Sequence, residues 1–418
     1  MLNEKQKEIL GVALGGKSIL LTGAAGVGKS FTLSELTRQL ELKGKKYALT
    51  AMTGAAAINI GGCTFHSWLG AGLADGVLSQ MVGRIFKNKK ALARLQNTEV
   101  LIIDEVSMMS KDLFETADKI LRAVRRRNVP FGGVQVILVG DFLQVPVVSR
   151  SSEKFFCFES EIWSELNIQT HILDEIIRQD SEGEFAKILN KIRLGSVDDD
   201  VMDVLDTCFS NKFPDDGIEA TRIFCINKDV DSYNQQRLNQ INQREFSFEA
   251  EDSGNSKYFP FFDKNCPAPR TLNLKVGATV MLLKNEDLEA GLCNGSVGSV
   301  ESISNEYITV RFLNGLQFEV GKHVWDAKEQ GFSASGKASM KSVAKRQQFP
   351  LRLAYAITVH KSLGCTLDRA EVHLGGVFEC GLAYVALSRV RDLESLSIAS
   401  IDYDRIKANV KCKKFYGY

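Results

Sequence analysis

The chain has 418 residues, enough for about two or three domains, each with its own core. Its 44% hydrophobic and 25% charged residues exclude extended disorder, and a net charge of +1 excludes a global basic field, so any polyanion must meet a local groove. Nine cysteines without a CxxC pair argue against zinc and against a disulfide framework, which suits a reducing compartment. The opening MLNEKQKEIL lacks the apolar core of a signal peptide, and no apolar run is long enough to span a bilayer. An intracellular, cytoplasmic location without membrane attachment is expected.

In chain order, the apolar β-type runs are SILL (18–21), YALTA (47–51), EVLIID (99–104) and VQVILVG (134–140). The helical stretches KSFTLSELTRQLEL and KDLFETADKILRAVRRR stand between them. This alternation predicts an α/β fold with a mostly parallel sheet covered on both faces. A second alternation starts at RIFCIN (222–227) and DVDSYNQQRLNQI, then breaks at FEAEDSGNSKYFPFFDKNCPAP, whose Gly, Pro, Asp and Asn read as loop. From LNLKVGATVMLL onward come short strands with Asn-Gly turns, Asn314-Gly315 being a strong hairpin signal, and GFSASGKASMKS is expected to close this small all-β module as a loop. LRLAYAITVHKS, RAEVHLGG and ESLSIAS resume the α/β texture, so the module is inserted into a second parallel-sheet unit. The basic clusters KNKK (87–90), RRR (125–127) and KCKK (411–414) read as solvated faces, the last also as a disordered tail.

Chemistry concentrates first at LLTGAAGVGKSF. The spacing Gly23-x-x-x-x-Gly28-Lys29-Ser30 follows a strand and opens a helix. Glycines let backbone N–H groups close around phosphate oxygens while the helix directs its N-terminus at them. Lys29 reaches the β/γ-phosphates and the Ser30 hydroxyl takes a place on Mg²⁺. In VLIIDEVSMM a strand ends in Asp104-Glu105, one carboxylate for Mg²⁺ and one for the attacking water. VILVGDFLQVP ends another strand at Gly140-Asp141 and offers Gln144 as a neutral contact for the γ-phosphate or water. Arg178 in LDEIIRQ and Arg389 in YVALSRVR are candidates to neutralise transition-state charge from a second domain. Spacing alone does not separate that role from surface ion pairing.

The ordered set LNEKQKEIL, GAAGVGKS, TAMTGAAAINIGGCTFHS, IIDEVSMM, PFGGVQVILVGDFLQVP, LDEIIRQ, LAYAITVHKSLGCTLD and AYVALSRVR resembles the petite-integration-frequency (PIF) helicase family, RecD-like, in superfamily 1B. The segment SMMSKDLFETADKILRAVRRR carries the most specific part of the likeness. The resemblance implies two RecA-like domains with ATP and Mg²⁺ between them, an SH3-like insertion, and single-stranded or forked DNA across the top. It places the first domain at 1–172, with a small wedge-like insertion near 66–95, the second at 173–275 and 346–418, and the insertion at 276–345. Gln6 is implied at adenine, and Gly23, Ala24, Ala25, Gly26, Val27, Gly28, Lys29, Ser30 and Phe31 around the nucleotide. Ser30 and Asp104 are implied at the metal, and Thr53, Gly54, Thr64, His66, Thr358, His360, Lys361 and Ser362 along the strand. Leu363 stands where the family usually has glutamine, which puts a polar link between nucleotide and DNA in doubt.

The expected activity is 5′-to-3′ DNA unwinding by a monomer. A nucleotide-dependent switch that grips DNA without unwinding it is the alternative, and a kinase is disfavoured for want of an acceptor site. Phe65 and Trp68, beside His66, suit base stacking and core packing equally.

Overall fold

The computed structural model describes residues 2–71, 77–146, 155–175, 183–226, 230–287, 289–332 and 338–418. Six strands form the first sheet: β1 (Ile19–Gly23), β2 (Tyr47–Ala51), β3 (Cys63–Thr64), β4 (Val100–Asp104), β5 (Gln135–Val139) and β6 (Gln169–Leu173). Their order is β3-β2-β4-β5-β1-β6 and every pairing is parallel. The central strands are buried along nearly their whole length, as continuous apolar runs in a sheet covered on both faces must be. On one face helix Lys111–Arg125 packs Phe114, Ala117, Leu121 and Val124, and on the other helix Lys29–Leu42 packs Leu33, Leu36 and Leu40.

A second, four-stranded sheet runs Ala356–Thr358, Thr221–Phe224, Ala370–Leu374, Leu396–Ile401, again all parallel. Between its first two strands in sequence the chain builds a five-stranded antiparallel sheet, in the order Gln317–Gly321, Tyr307–Phe312, Val297–Ile303, Thr279–Leu282, Leu351–Leu353. Tyr307–Phe312 alternates buried residues with exposed or half-buried ones, and Gly315 turns the hairpin at φ 81°, a conformation glycine adopts freely.

Three sequence readings need correction. The stretch 248–269, expected as loop, contributes to strands Phe246–Glu249 and Glu251–Gly254 and forms helix Phe259–Asn265. Pro260 fits because its missing N–H costs nothing in a helix's first turn. The stretch 331–342, also expected as loop, ends strand His323–Phe332 and starts strand Ala338–Gln348, which pair as a long ribbon; residues 333–337 lie outside the described set. The buried Arg346 locks this ribbon down, donating to both oxygens of Asp252 at 2.7 Å and to Asp263 at 2.7 Å.

KCKK is no loose tail. Asn409 caps helix Val410–Phe415, Cys412 is buried, and Phe415 stacks on Phe158 with ring centroids 4.4 Å apart. Tyr416 reaches the first sheet, its hydroxyl 2.7 Å from Thr22 Oγ1 and accepting from Phe142 N at 3.2 Å. The RRR cluster also does structural work at Arg125, which donates to the carbonyls of Leu95, Gln96, Thr98 and Gly132 and so ties helix Lys89–Asn97 to its neighbours. Among the described residues no helix is long and apolar enough to cross a membrane.

Candidate active site

The glycine-rich loop leaves β1 at Gly23, whose φ of 144° and tight packing require glycine: an added Cβ would lie 2.3 Å from the Leu173 carbonyl oxygen at the end of β6. Gly26 and Gly28 also have positive φ, and Gly28 caps helix Lys29–Leu42. Lys29 Nζ donates to the carbonyls of Gly23 at 2.9 Å and Ala24 at 2.8 Å. Desolvation lowers its pKa, while Asp141, Glu105 and Asp104 oppose that shift. Ser30 is exposed, and Phe31 presents about half of its surface (51%) beside it.

Gln6 sits in the first turn of helix Glu4–Leu14 and forms a capping box with Asn3. Its Oε1 accepts from Asn3 N at 3.0 Å, but its buried Nε2 has no partner among the described residues. A buried amide donor left unpaired is costly unless something completes it, and a heterocyclic nitrogen does so.

β4 delivers the acidic pair. Asp104 ends the strand, and Glu105 takes φ 53°, a left-handed conformation that costs a residue with a Cβ. Burial, then the Glu105 charge, pushes the Asp104 carboxyl up to about 7. Burial raises Glu105 too, against the pull of Lys29 and Arg389. Two half-buried carboxylates raised together form a site short of positive charge.

β5 delivers Asp141, which accepts two hydrogen bonds of 2.9 Å from Arg193 on helix Glu184–Arg193, both side chains buried. Gln144 Nε2 lies 3.5 Å from Asp141 Oδ2. Sequence reasoning missed Arg193, because LNKIRLG carries no motif. Removing one partner of such a pair strands a buried charge, so Arg193→Met is expected to destabilise the protein by about 3–5 kcal/mol, and Arg193→Met with Asp141→Asn by far less. Denaturant titration of the two variants checks this; equal losses refute it.

The second sheet closes on the same loop. Gly381 packs against the main chain of Gln144, where a Cβ would lie 2.3 Å from the carbonyl oxygen. Helix Leu382–Leu387 follows, and the buried Tyr384 accepts a 2.8 Å hydrogen bond from Ala25 N in the glycine loop. Arg389 is buried: Nε donates to Val385 O at 2.6 Å, Nη2 to Ser388 Oγ at 2.7 Å, and Nη1 to the carbonyls of Ser362 and Cys365 at 3.3 and 3.4 Å. Arg178 lies outside the described residues.

The strand candidates form two groups: one follows the C-terminal ends of β2 and of the edge strand β3, the other the C-terminal end of the second sheet's edge strand Ala356–Thr358. Thr53 and Thr64 cap helices Gly54–Asn59 and Phe65–Leu69, accepting from Ala56 N and Ser67 N. Helix Phe259–Asn265 packs on Gly54 so closely that a Cβ there would fall 2.1 Å from Asn265 Oδ1. His66 is half-buried. Phe65 and Trp68 are fully buried, so they pack the core rather than offer a stacking surface. In the second group Thr358 Oγ1 accepts from Lys361 N, His360 and Lys361 are exposed, and Ser362 is buried with its hydroxyl donating to Val359 O. Arg352, unmarked in the sequence, lies near enough to Lys361 to help desolvation lower its pKa. Leu363 packs against the second core.

The family model of PIF1-like helicases matches residues 1–203, and that of the DNA helicase Pif1 2B domain matches 261–303. The ATP-dependent DNA helicase Pif1 of Bdellovibrio bacteriovorus is 34% identical over 415 residues, covering 99% of this chain and 91% of that protein. The chain belongs to the PIF1-like helicase family. The ATP-dependent DNA helicase PIF1 of Homo sapiens is 38% identical over 419 residues, 99% of this chain, and the chain spans about 63% of that relative's length. The structure of Bacteroides sp Pif1 in complex with ADP-AlF4 is 30% identical, with a TM-score of 0.86 over 100% of this chain and 96% of that one. Bacteroides Pif1 bound to ssDNA, over the same shares and at the same identity, gives 0.61. The fold is thus the family's: two RecA-like parallel-sheet domains with a small all-β unit inserted in the second.

Proposed function

We propose that this chain is an ATP-dependent DNA helicase that moves 5′ to 3′ on single-stranded DNA and unwinds duplex or structured DNA. One observation carries it: the glycine loop, the acidic pair and a helix of the second parallel-sheet unit meet at one junction, where Ala25 N bonds Tyr384 and Arg389 bears on Glu105. Hydrolysis at such a junction changes how two domains fit, which is what a motor needs. The ADP-AlF4 and ssDNA complexes of the Bacteroides relative support the same nucleotide and track.

In this reading the amides of residues 23–31 and the Lys29 ammonium hold the phosphates, Gln6 Nε2 meets adenine, and Phe31 lies at the rim. Ser30 and Asp104 would hold Mg²⁺, which would supply charge neutralisation for the phosphates. Glu105, raised by burial, accepts the proton of the attacking water, Gln144 orients that water, and Arg178 and Arg389 neutralise developing charge. Thr53, Gly54, Thr64 and His66 on one domain and Thr358, His360, Lys361 and Ser362 on the other grip the strand. Where hydroxyls cap helices, as at Thr53 and Thr64, backbone groups make the contact.

The proposed division is 1–172, with the helices Leu78–Lys87 and Lys89–Asn97 in its wedge-like insertion, then 173–275 with 346–418, with 276–345 inserted. We read the working unit as a monomer within the cytoplasm, on single-stranded and forked DNA. Comparing unwinding of duplexes with 5′ or 3′ tails tests the activity. Unwinding only from the 5′ tail, with DNA-stimulated ATP turnover, is expected; ATP-dependent binding without strand separation would leave a switch instead.

The track makes a further prediction. Single-strand affinity falls with salt with a slope of about −0.7 per neutralised phosphate. Lys361→Ala is expected to weaken all sequences alike and to flatten that slope by roughly one such unit, read from oligonucleotide titrations at several salt concentrations. An unchanged slope removes Lys361 from the track.

A further inference from the structure

Leu363 cannot form a side-chain hydrogen bond, so a link between nucleotide and strand at that position must run elsewhere, and the described contacts trace one route. Ala25 N donates to Tyr384 Oη at 2.8 Å, where the glycine loop meets the second domain. Tyr384 lies in helix Leu382–Leu387, all six of whose residues are buried. Just past its end, Arg389 donates back to Val385 O at 2.6 Å and outward to the carbonyls of Ser362 and Cys365. Those carbonyls belong to the turn that begins with His360 and Lys361, whose side chains are exposed. A close-packed helix transmits displacement rather than absorbing it. Its two ends thus touch the phosphate loop and the turn presenting the strand-facing cation.

The hydroxyl gives this route two states. A phenol oxygen accepts the Ala25 N–H in the arrangement observed, and a phosphate anion entering the loop competes for that donor with a stronger, charge-assisted bond. The phenol also carries a proton of its own, which an anionic oxygen accepts. One side chain can therefore exchange an accepted bond for a donated one as the loop fills. Phenylalanine has the ring and neither bond.

We infer that Tyr384 is a positioning residue that couples nucleotide occupancy of the glycine loop to the grip of His360 and Lys361 on single-stranded DNA, through helix Leu382–Leu387 and Arg389. The inference rests on the helicase reading above and adds the residue that links its two sites. Linkage makes the coupling reciprocal and measurable as a ratio of affinities.

The test titrates a fluorescent oligo-dT strand with wild-type and Tyr384→Phe protein, without nucleotide and with ADP–aluminium fluoride. Wild type is expected to change its strand affinity by about 5-fold or more on adding nucleotide, within the usual range for coupled sites. Tyr384→Phe is expected to fold, since ring volume is conserved, and to bring that ratio to within about 2-fold of one. A purely structural role would weaken binding by the same factor in both states and leave the ratio intact, which overturns the inference. Amide exchange in wild type is a second measurement that needs no variant. Nucleotide alone should alter exchange across residues 360–365, and no change there also overturns the inference. Wild-type protein that binds neither ADP–aluminium fluoride nor oligo-dT would instead bring down the helicase reading itself.

Discussion

Lys29→Ala is expected to reduce ATP turnover by at least ~10²-fold, the loss typical when one preorganised donor to a developing negative charge is removed. The effect should be at the high end because of what surrounds this ammonium. Asp104, Glu105 and Asp141 all bear on it, and Arg193, the cation that acts on it among the described residues, is held by Asp141. Without Lys29 the carboxyls of Asp104 and Glu105 lose a charge that holds them down, so they rise further and repel phosphate until protonated. Strand binding should survive, since the exposed His360 and Lys361 stand on another sheet. Single-turnover hydrolysis beside oligonucleotide titration separates the two. Retained turnover would remove the nucleotide assignment.

Arg389→Ala is expected to lower turnover by at least ~10³-fold if its guanidinium neutralises transition-state charge. A second loss comes with it, because Arg389 donates to three backbone carbonyls and one hydroxyl within its own domain. Truncation removes these buried hydrogen bonds together, so the melting temperature should also fall. Arg389→Lys separates the effects. It keeps the charge beside Glu105 but cannot reproduce the planar fork, so it should regain part of the turnover and little of the thermal stability. Normal hydrolysis in Arg389→Ala would mean that the guanidinium only braces the turn at Ser362–Cys365.

What the sequence made legible follows from how local the chemistry is. A phosphate loop must be built from consecutive residues, so Gly23 to Ser30 announce it, and a strand ending in two carboxylates is equally local. Parallel-sheet strands buried on both faces are continuous apolar runs, which made β1, β2, β4 and β5 readable. The junction was not readable. The pairs that close it, Asp141 with Arg193, Ala25 with Tyr384 and Thr22 with Tyr416, are separated by 52, 359 and 394 residues. Only the three-dimensional path brings them together. Composition misled at 248–269, where Gly, Pro and Asn suggested loop while Arg346, from a strand far along the chain, pins the segment through Asp252 and Asp263. At the C-terminal KCKKFY the lysines drew attention, and the two aromatics that dock the helix decided the outcome.

That docked helix restricts how the two domains can separate. The chain leaves the first sheet after Leu173, builds the second, and returns through Asn409 to seat Phe415 against Phe158 and Tyr416 against Thr22. With the aromatic seat in place, the last residues of the chain belong physically to the first sheet, so opening at the nucleotide junction must be taken up in the stretch between Ile401 and Asn409.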